Sequence, residues 1–324
     1  LLGTVQVKVL VTGGAGYIGS VVATRLLEAG HEVTVIDDLS TGHRDAVPDD
    51  AQFVLDKVQQ VSSTLGRRAF DGVVHLAASS LVAESITDPQ KYETNNVAGT
   101  RHLLEALRTT GISRIVFSSS AAVYGEPSWV PIEEDAPTVP LNPYGASKLA
   151  VDQMLDEEAS RHGIAAVSLR YFNVAGSYAS LGERHDPETH LIPLTLRAAL
   201  DGRPVDIFGG DYPTPDGTCI RDYIHVADIA DAHLLALGAA SPGTWRVYNL
   251  GNGEGFSVRQ VIAAARRVTG LQLTERVTAR RAGDPAVLVA SSERARRDLD
   301  WAPRRPELDE MVDDAWNFVQ RRQR

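Results

Sequence analysis

The segment Thr12-Gly13-Gly14-Ala15-Gly16-Tyr17-Ile18-Gly19 constrains this chain more than any other. It follows the β-branched run Lys8 to Val11 and opens, at Ile18, an apolar-periodic stretch that reaches Glu28 and stops at Gly30. Gly13, Gly16 and Gly19 have the spacing of a strand-to-helix turn. The first permits the tight reversal, the second lets backbone approach a bound group, and the third allows close helix-on-strand packing. Unpaired N–H groups at the start of such a helix attract an anion, here the pyrophosphate of a dinucleotide. A bare turn is the competing reading of glycines alone, and the flanking strand and helix weigh against it.

The rest of the first half repeats the unit. Glu32 to Ile36, Val73 to Leu76, Arg114 to Phe117 and Val167 to Arg170 read as strands, with Pro89 to Arg108 and Tyr144 to Arg161 as helices between them. This alternation predicts an α/β fold with a doubly wound parallel sheet. After Tyr171 the pattern breaks into loops rich in Gly, Pro and Asp, among them HDPETH at 185–190 and GGDYPTPDG at 209–217. A second, smaller region begins there, as a length of 324 residues suggests. The closing helix, Leu308 to Arg322, is acidic at its start and basic at its end, which suits the helix dipole, and its RRQR end reads as structural.

Composition removes several classes. A net charge of −10 argues against a phosphate-backbone partner, so no nucleic acid is expected. Apolar runs fall short of a membrane span. The single cysteine, Cys219, can form neither an intrachain disulfide nor a cysteine-based metal cage. The opening Leu1 to Gln6 lacks the basic start, apolar stretch and cleavage site of a signal peptide, so a cytoplasmic location is expected.

Asp37, at the end of the second predicted strand, stands where an acid accepts the hydroxyls of an adenosine ribose. Its charge repels a 2′-phosphate and favours NAD over NADP. Asp38 is placed to share that task, Arg44 keeps NADP in view, and an acidic loop cap is the plainer reading of Asp37.

The segment NPYGASK at 142–148 opens a helix, with Asn142 suited to the N-cap and Pro143 to the first turn. Tyr144 and Lys148 lie one turn apart on the same face. A free tyrosine has a pKa of about 10, so it needs a positive neighbour to act as a base near neutrality. The strand ending at Phe117 runs into Ser118-Ser119-Ser120, where a parallel sheet presents ligand-binding residues. One of those hydroxyls could relay a proton. Alone, Tyr-x-x-x-Lys is a surface contact and a serine run a loop; beside the nucleotide turn they become a candidate catalytic group.

TGGAGYIG, SSSAAVYG and YGASK, in that order, resemble the extended short-chain dehydrogenase/reductases. NNVAGT at 95–100, LRYFNVAG at 169–176, GGDYPTPDGTCIRDYIHVAD at 209–228, YNLGNG at 248–253 and RRAGDP at 280–285 are similar to the UDP-galactose 4-epimerases among them. The resemblance implies a Rossmann-type NAD-binding domain over 1–172 and a mainly UDP-sugar-binding domain over 173–324, with segments returning to pack on the first, in a homodimer. It implies Tyr144 as the base for the sugar 4-hydroxyl, Ser120 bonding the same oxygen, and Lys148 holding the nicotinamide ribose while depressing the tyrosine pKa. It further implies cofactor contacts at Gly13, Gly16, Tyr17, Ile18, Gly19, Asp37, Asp56, Ala77, Asn96, Ser118 and Tyr171. Asn173, His190, Leu191, Phe208 at the uracil, Arg221 and Arg281 at the diphosphate, and Asp284 would meet the UDP-sugar. Without the family, either arginine reads as a salt bridge with Asp222 or Asp284.

The chain departs from the pattern in places. Ser80 stands where bacterial members carry a cofactor-touching lysine, and the 55–67 stretch has Leu55-Asp56 where a Gly-Asp is expected near adenine. His190 occupies a position often held by asparagine. A His185/His190 metal site is discounted, since no third ligand is evident, and no metal is expected. Leu288 falls where relatives carry a tyrosine that restricts, or a cysteine that admits, N-acetylated sugars; its intermediate size leaves both open. The runner-up activity, a nucleotide-sugar 4,6-dehydratase or decarboxylase, also begins by oxidising C4. A dehydratase would need an Asp-Glu pair where Ala121-Ala122 stand. A non-catalytic NAD-binding regulator is the reading from another class.

Overall fold

The computed structural model describes residues 6–66, 69–281 and 284–323. The opening Leu1–Val5, Arg67 of the atypical stretch, Ala282 and Gly283 of RRAGDP, and Arg324 of RRQR lie outside the described residues. Six strands, β1 (Lys8–Thr12), β2 (Glu32–Asp37), β3 (Gln52–Leu55), β4 (Gly72–His75), β5 (Arg114–Ser120) and β6 (Ala165–Tyr171), join Trp245–Leu250 in one sheet. Its order is Trp245–Leu250, β6, β5, β4, β1, β2, β3. The β1–β2, β1–β4, β2–β3 and β4–β5 pairs are parallel. Val9, Leu10 and Val11 are all fully buried, because helices cover both faces of such a sheet and strands read as unbroken apolar runs. The chain leaves β1 toward β2 and β3, then returns to the other side for β4 and β5. That reversal opens a crevice at the carboxyl ends of β1 and β4, where open α/β sheets bind ligands.

The helix Tyr17–Glu28 follows β1 as the glycine turn requires. The helix Pro143–His162 begins as its sequence predicts, with Asn142 Oδ1 accepting the Gly145 N–H at 2.8 Å, and ends at Gly163 with φ +74°. Val151 and Leu155 from this helix, and Leu103 and Leu107 from Gly99–Thr110, pack in one core with Leu10, Ile36, Val73 and Phe117.

Three expectations need correction. Pro89 to Arg108 is not one helix: Pro89–Tyr92 and Gly99–Thr110 flank a π-helical segment, Glu93–Ala98. The wider turn places Asn96 where its amide bonds to Ser79, a competing demand that helical periodicity does not reveal. β5 runs on through Ser120, three residues past the Phe117 at which the apolar pattern ends. β3 and Trp245–Leu250 were not anticipated: β3 is a half-buried edge strand, and Trp245–Leu250 pairs far along the chain. The atypical 55–67 stretch is ordinary where it matters for packing, since Val58, Val61 and Leu65 join the core.

The chain divides into two compact units: 1–125, 138–170 and 230–248, and 126–137, 171–229 and 249–324. In the second, the helices Leu191–Asp201, Val258–Thr269 and Leu308–Gln323 pack through Ile192, Leu196, Val261, Ile262, Met311, Val312 and Trp316. Short strand pairs frame them. Asn173–Ala175 lies parallel to Tyr223–His225, and Ile220–Arg221 is flanked by Phe256–Ser257 and Val287–Leu288. A capping box starts Val258–Thr269: Ser257 Oγ accepts the Gln260 N–H at 3.1 Å and Gln260 Oε1 accepts the Ser257 N–H at 2.7 Å. Among the described residues no helix is long and apolar enough to cross a membrane.

Candidate active site

The glycine turn has the tolerances of a dinucleotide cradle. Gly13 has φ +74°, and a Cβ there would lie 2.6 Å from the Ala77 nitrogen; one on Gly19 would lie 2.1 Å from the Gly13 carbonyl oxygen. Gly16 is the extended N-cap of Tyr17–Glu28, with no side chain capping it and no acid in the first turn. The first-turn N–H groups of this helix thus have no side-chain cap and no acid within the turn, and these residues fit a pyrophosphate. Asp37, 9% exposed, accepts the Ala15 N–H at 3.0 Å and the Leu39 N–H at 2.8 Å. Burial pushes its pKa up against those bonds. The carboxylate thus orders the loop and retains acceptor capacity. Asp56 follows β3, and its N–H donates to the Asp37 carbonyl at 3.2 Å, so both acids sit at one sheet edge.

At the end of β5 the Ser120 Oγ accepts the Ala122 N–H at 3.2 Å, and Ser120 also hydrogen-bonds the Tyr144 hydroxyl. Lys148, 3% exposed, donates from Nζ to the Ser118 carbonyl at 2.7 Å and lies 5.8 Å from the Tyr144 ring centroid. Burial pulls the lysine down to about 8, while Asp152 acts to raise it. Burial pushes the Tyr144 phenol up, and the Ser120 bond draws it back. In the chain alone burial outweighs the influences that lower the Tyr144 phenol. The ammonium faces the Ser118 carbonyl and the Phe117 ring, 4.8 Å to its centroid. Tyr92 packs edge-on against Tyr144 with ring centroids 6.3 Å apart.

Several supports had no clear signal in the sequence. His75, 1% exposed, is fixed between Thr12 Oγ1 at 2.7 Å and Thr100 Oγ1 at 2.8 Å, and burial, aided by Lys148, pulls it down to about 3. Asp152, one turn beyond Lys148, is fully buried and pairs with Arg170 at 2.8 Å, while Arg170 reaches the Tyr124 hydroxyl at 3.0 Å. Asn96, already expected at the cofactor, is also a clamp: it accepts the Ser79 N–H at 2.8 Å and donates to the Ser79 carbonyl at 3.0 Å and Ser147 Oγ at 2.9 Å.

In the second unit Arg221 pairs with Asp284, and Arg281 lies 3.9 Å over the Phe208 ring. Both arginines and Asp284 act electrostatically on Cys219, so they share one neighbourhood. Of the two acids named for a salt bridge, Asp284 takes the part. Asp222, fully buried, instead accepts the Asn252 N–H at 2.6 Å and the Gly253 and Ala290 N–H groups at 3.0 Å. Leu288 is the register partner of Arg221. Asn173 donates its N–H to the Asp222 carbonyl at 2.9 Å, and Tyr171, 8% exposed, closes β6. Leu191 packs on the helical core. His190 turns Nδ1 toward Glu183 at 2.7 Å and Glu188 at 3.0 Å, and His185 also meets Glu183, so acids that sequence reading overlooked surround the discounted histidine pair.

A glycine cradle at the switch point and a Ser-Tyr-Lys group on a nearby strand and helix define a nicotinamide-dependent class in which a tyrosine moves a proton. The chain belongs to the NAD dependent epimerase/dehydratase family, whose pattern matches residues 9–251. It is 52% identical over 314 residues to a UDP-glucose 4-epimerase of Corynebacterium glutamicum, covering 96% of this chain and 95% of that one. It is 55% identical over 316 residues to a UDP-glucose 4-epimerase of Streptomyces lividans, at the same coverage. The crystal structure of UDP-glucose 4-epimerase from Bifidobacterium longum in complex with NAD+ and UDP superposes with a TM-score of 0.91 at 34% identity, covering 98% of this chain and 99% of that one.

Proposed function

We propose that this chain interconverts UDP-galactose and UDP-glucose by reversible, NAD-dependent epimerisation at C4, with Tyr144 exchanging the proton of the sugar 4-hydroxyl. The observation that carries this reading is the Ser120–Tyr144 hydrogen bond beside Lys148, in a chain similar along its length to UDP-glucose 4-epimerases. We assign cofactor binding to residues 1–172, through Gly13, Gly16, Tyr17, Ile18, Gly19, Asp37, Asp56, Ala77, Asn96, Ser118, Lys148 and, at the boundary, Tyr171. Bound there, NAD would supply a hydride acceptor for the sugar C4 and, in its oxidised form, a further positive charge near the buried phenol.

The protein's own groups handle the proton. The Ser120 hydrogen bond draws the buried Tyr144 phenol pKa down, which favours the phenolate that accepts the sugar proton. Lys148 keeps further N–H donors for the nicotinamide ribose after bonding Ser118. Substrate binding falls mainly to 173–324, with Arg221 and Arg281 on the diphosphate, Phe208 at the uracil, and Asn173, His190, Leu191 and Asp284 around them. An arginine fork matches phosphate oxygens, and Asp284 orients that of Arg221. Binding energy placed on UDP holds the substrate while the sugar stays loose enough to rotate.

Ala121 and Ala122 follow Ser120 directly, so the proton acceptor and leaving-group donor of a dehydratase are missing from that turn. Mass spectrometry of UDP-glucose incubated with the protein separates the activities. An epimerised product keeps the substrate mass; a dehydrated product lighter by one water would overturn the proposal. The resemblance extends the reading to a cytoplasmic homodimer, and a single-chain mass by light scattering would remove the dimer.

A further inference from the structure

The loop joining the hairpin strand Leu181–Gly182 to the helix Leu191–Asp201 gathers four metal-ligating side chains. Glu183 Oε1 lies 2.9 Å from His185 Nδ1 and 2.7 Å from His190 Nδ1, and Glu188 Oε1 lies 3.0 Å from His190 Nδ1. One ligand atom from each residue falls within 4.8 Å of every other. The two rings face each other at 5.1 Å, and the carboxylate side chains are only 9% and 3% exposed. Glu188 Oε1 also accepts the Thr189 and His190 N–H groups at 2.8 Å, which fixes its direction.

We propose that Glu183, His185, Glu188 and His190 form a binding site for one divalent transition-metal ion, with Zn2+ the best chemical match. Two buried carboxylates need positive charge, and the groups facing them are imidazoles. Without an ion, both Nδ1 atoms crowd one Glu183 oxygen, and each contact is a hydrogen bond only if its Nδ1 carries a proton. A metal uses the same four atoms as ligands. Tetrahedral coordination at Zn–N and Zn–O distances of about 2.0–2.2 Å spaces ligand atoms roughly 3.3–3.6 Å apart. The contacts of 2.7–3.0 Å and the 4.8 Å limit bracket that spacing, so small side-chain rotations complete the shell.

A mixed imidazole–carboxylate set without sulfur suits Zn2+ and its neighbours better than the all-oxygen shells of Ca2+ or Mg2+. Four protein ligands close the shell, which is the pattern of a structural site. The ion would tie both ends of the 183–190 loop together and hold His190, which the proposed function places beside the UDP-sugar.

The test uses the whole protein, stripped with a strong chelator and titrated with Zn2+ alone against a chromophoric competitor, with Co2+ as a spectroscopic replacement. The proposal expects one Zn2+ per chain and the intense visible bands of four-coordinate Co2+. It also expects loss of stoichiometric binding in His185→Ala and in Glu183→Gln, each checked for native far-UV circular dichroism. Absence of stoichiometric binding by the wild-type protein, or undiminished binding by both folded variants, would overturn it. Should a variant fail to fold, the wild-type Co2+ spectrum still decides: weak six-coordinate bands refute the site.

Discussion

Ser120 and Tyr144 share a hydrogen bond at the start of the helix Pro143–His162, and Ser120 Oγ also accepts the Ala122 N–H at 3.2 Å. Burial raises the phenol pKa, and this bond is the chain's own means of lowering it. The two effects oppose each other at the atom that the proposed reaction uses.

Replacing Tyr144 by Phe removes the proton carrier and keeps the ring against Tyr92. Turnover should fall by about 10²- to 10⁴-fold, the usual contribution of a positioned acid–base group, with NAD content unchanged. Ser120→Ala should cost less, since a neutral hydrogen bond is worth about 0.5–1.5 kcal/mol, or up to roughly tenfold. It should also move the apparent pKa on kcat upward, because the bond lowers the phenol pKa. Near-native turnover by Tyr144→Phe, measured by following sugar conversion, would remove the proposed base.

Arg221, proposed at the diphosphate, is held by Asp284. Arg221→Leu leaves Asp284 without its partner and deletes charge-assisted bonds worth about 1.5–3 kcal/mol, so KM should rise on the order of 10- to 100-fold while kcat changes less. Steady-state kinetics with UDP-galactose measures the split. A fall confined to kcat would place Arg221 at the chemistry instead.

His75 makes stability fall with acid. Its pKa is about 3 in the folded chain, against an ordinary 6.5 when unfolded. The unfolded state therefore binds a proton first as pH drops below 6.5, and this destabilisation grows until pH nears 3. Between pH 6.5 and 5 the effect is about 1.6 kcal/mol for this one group. Urea unfolding at both pH values should show that His75→Gln, which keeps a polar contact to Thr12 and Thr100, loses about this much of the wild-type pH dependence. An identical slope in the variant would show that His75 is not held neutral.

Local signals carried much of this far. The glycine turn, the Asn142–Pro143 helix start and the Tyr144/Lys148 spacing are all short-range chemistry, and each appears where its residues predict. What escaped depends on contacts distant in sequence or on burial. Trp245–Leu250 joins the sheet beside β6, and no local pattern says so. Asp152 and Arg170 look like ordinary surface charges until they are found paired in the interior. Glu183 and Glu188 read as solvated loop acids, and only the fold of the loop turns them onto His185 and His190. The family resemblance supplied the roles of Phe208, Arg221 and Arg281, which spacing alone does not show.

The most direct test of the central claim is a proton NMR time course of the purified protein with UDP-galactose, followed by the same experiment starting from UDP-glucose. The account predicts that both approach one fixed mixture of the two sugars, with no net consumption of NAD. No conversion in either direction with NAD in excess, by protein that binds NAD, would contradict it and favour a non-catalytic NAD-binding protein.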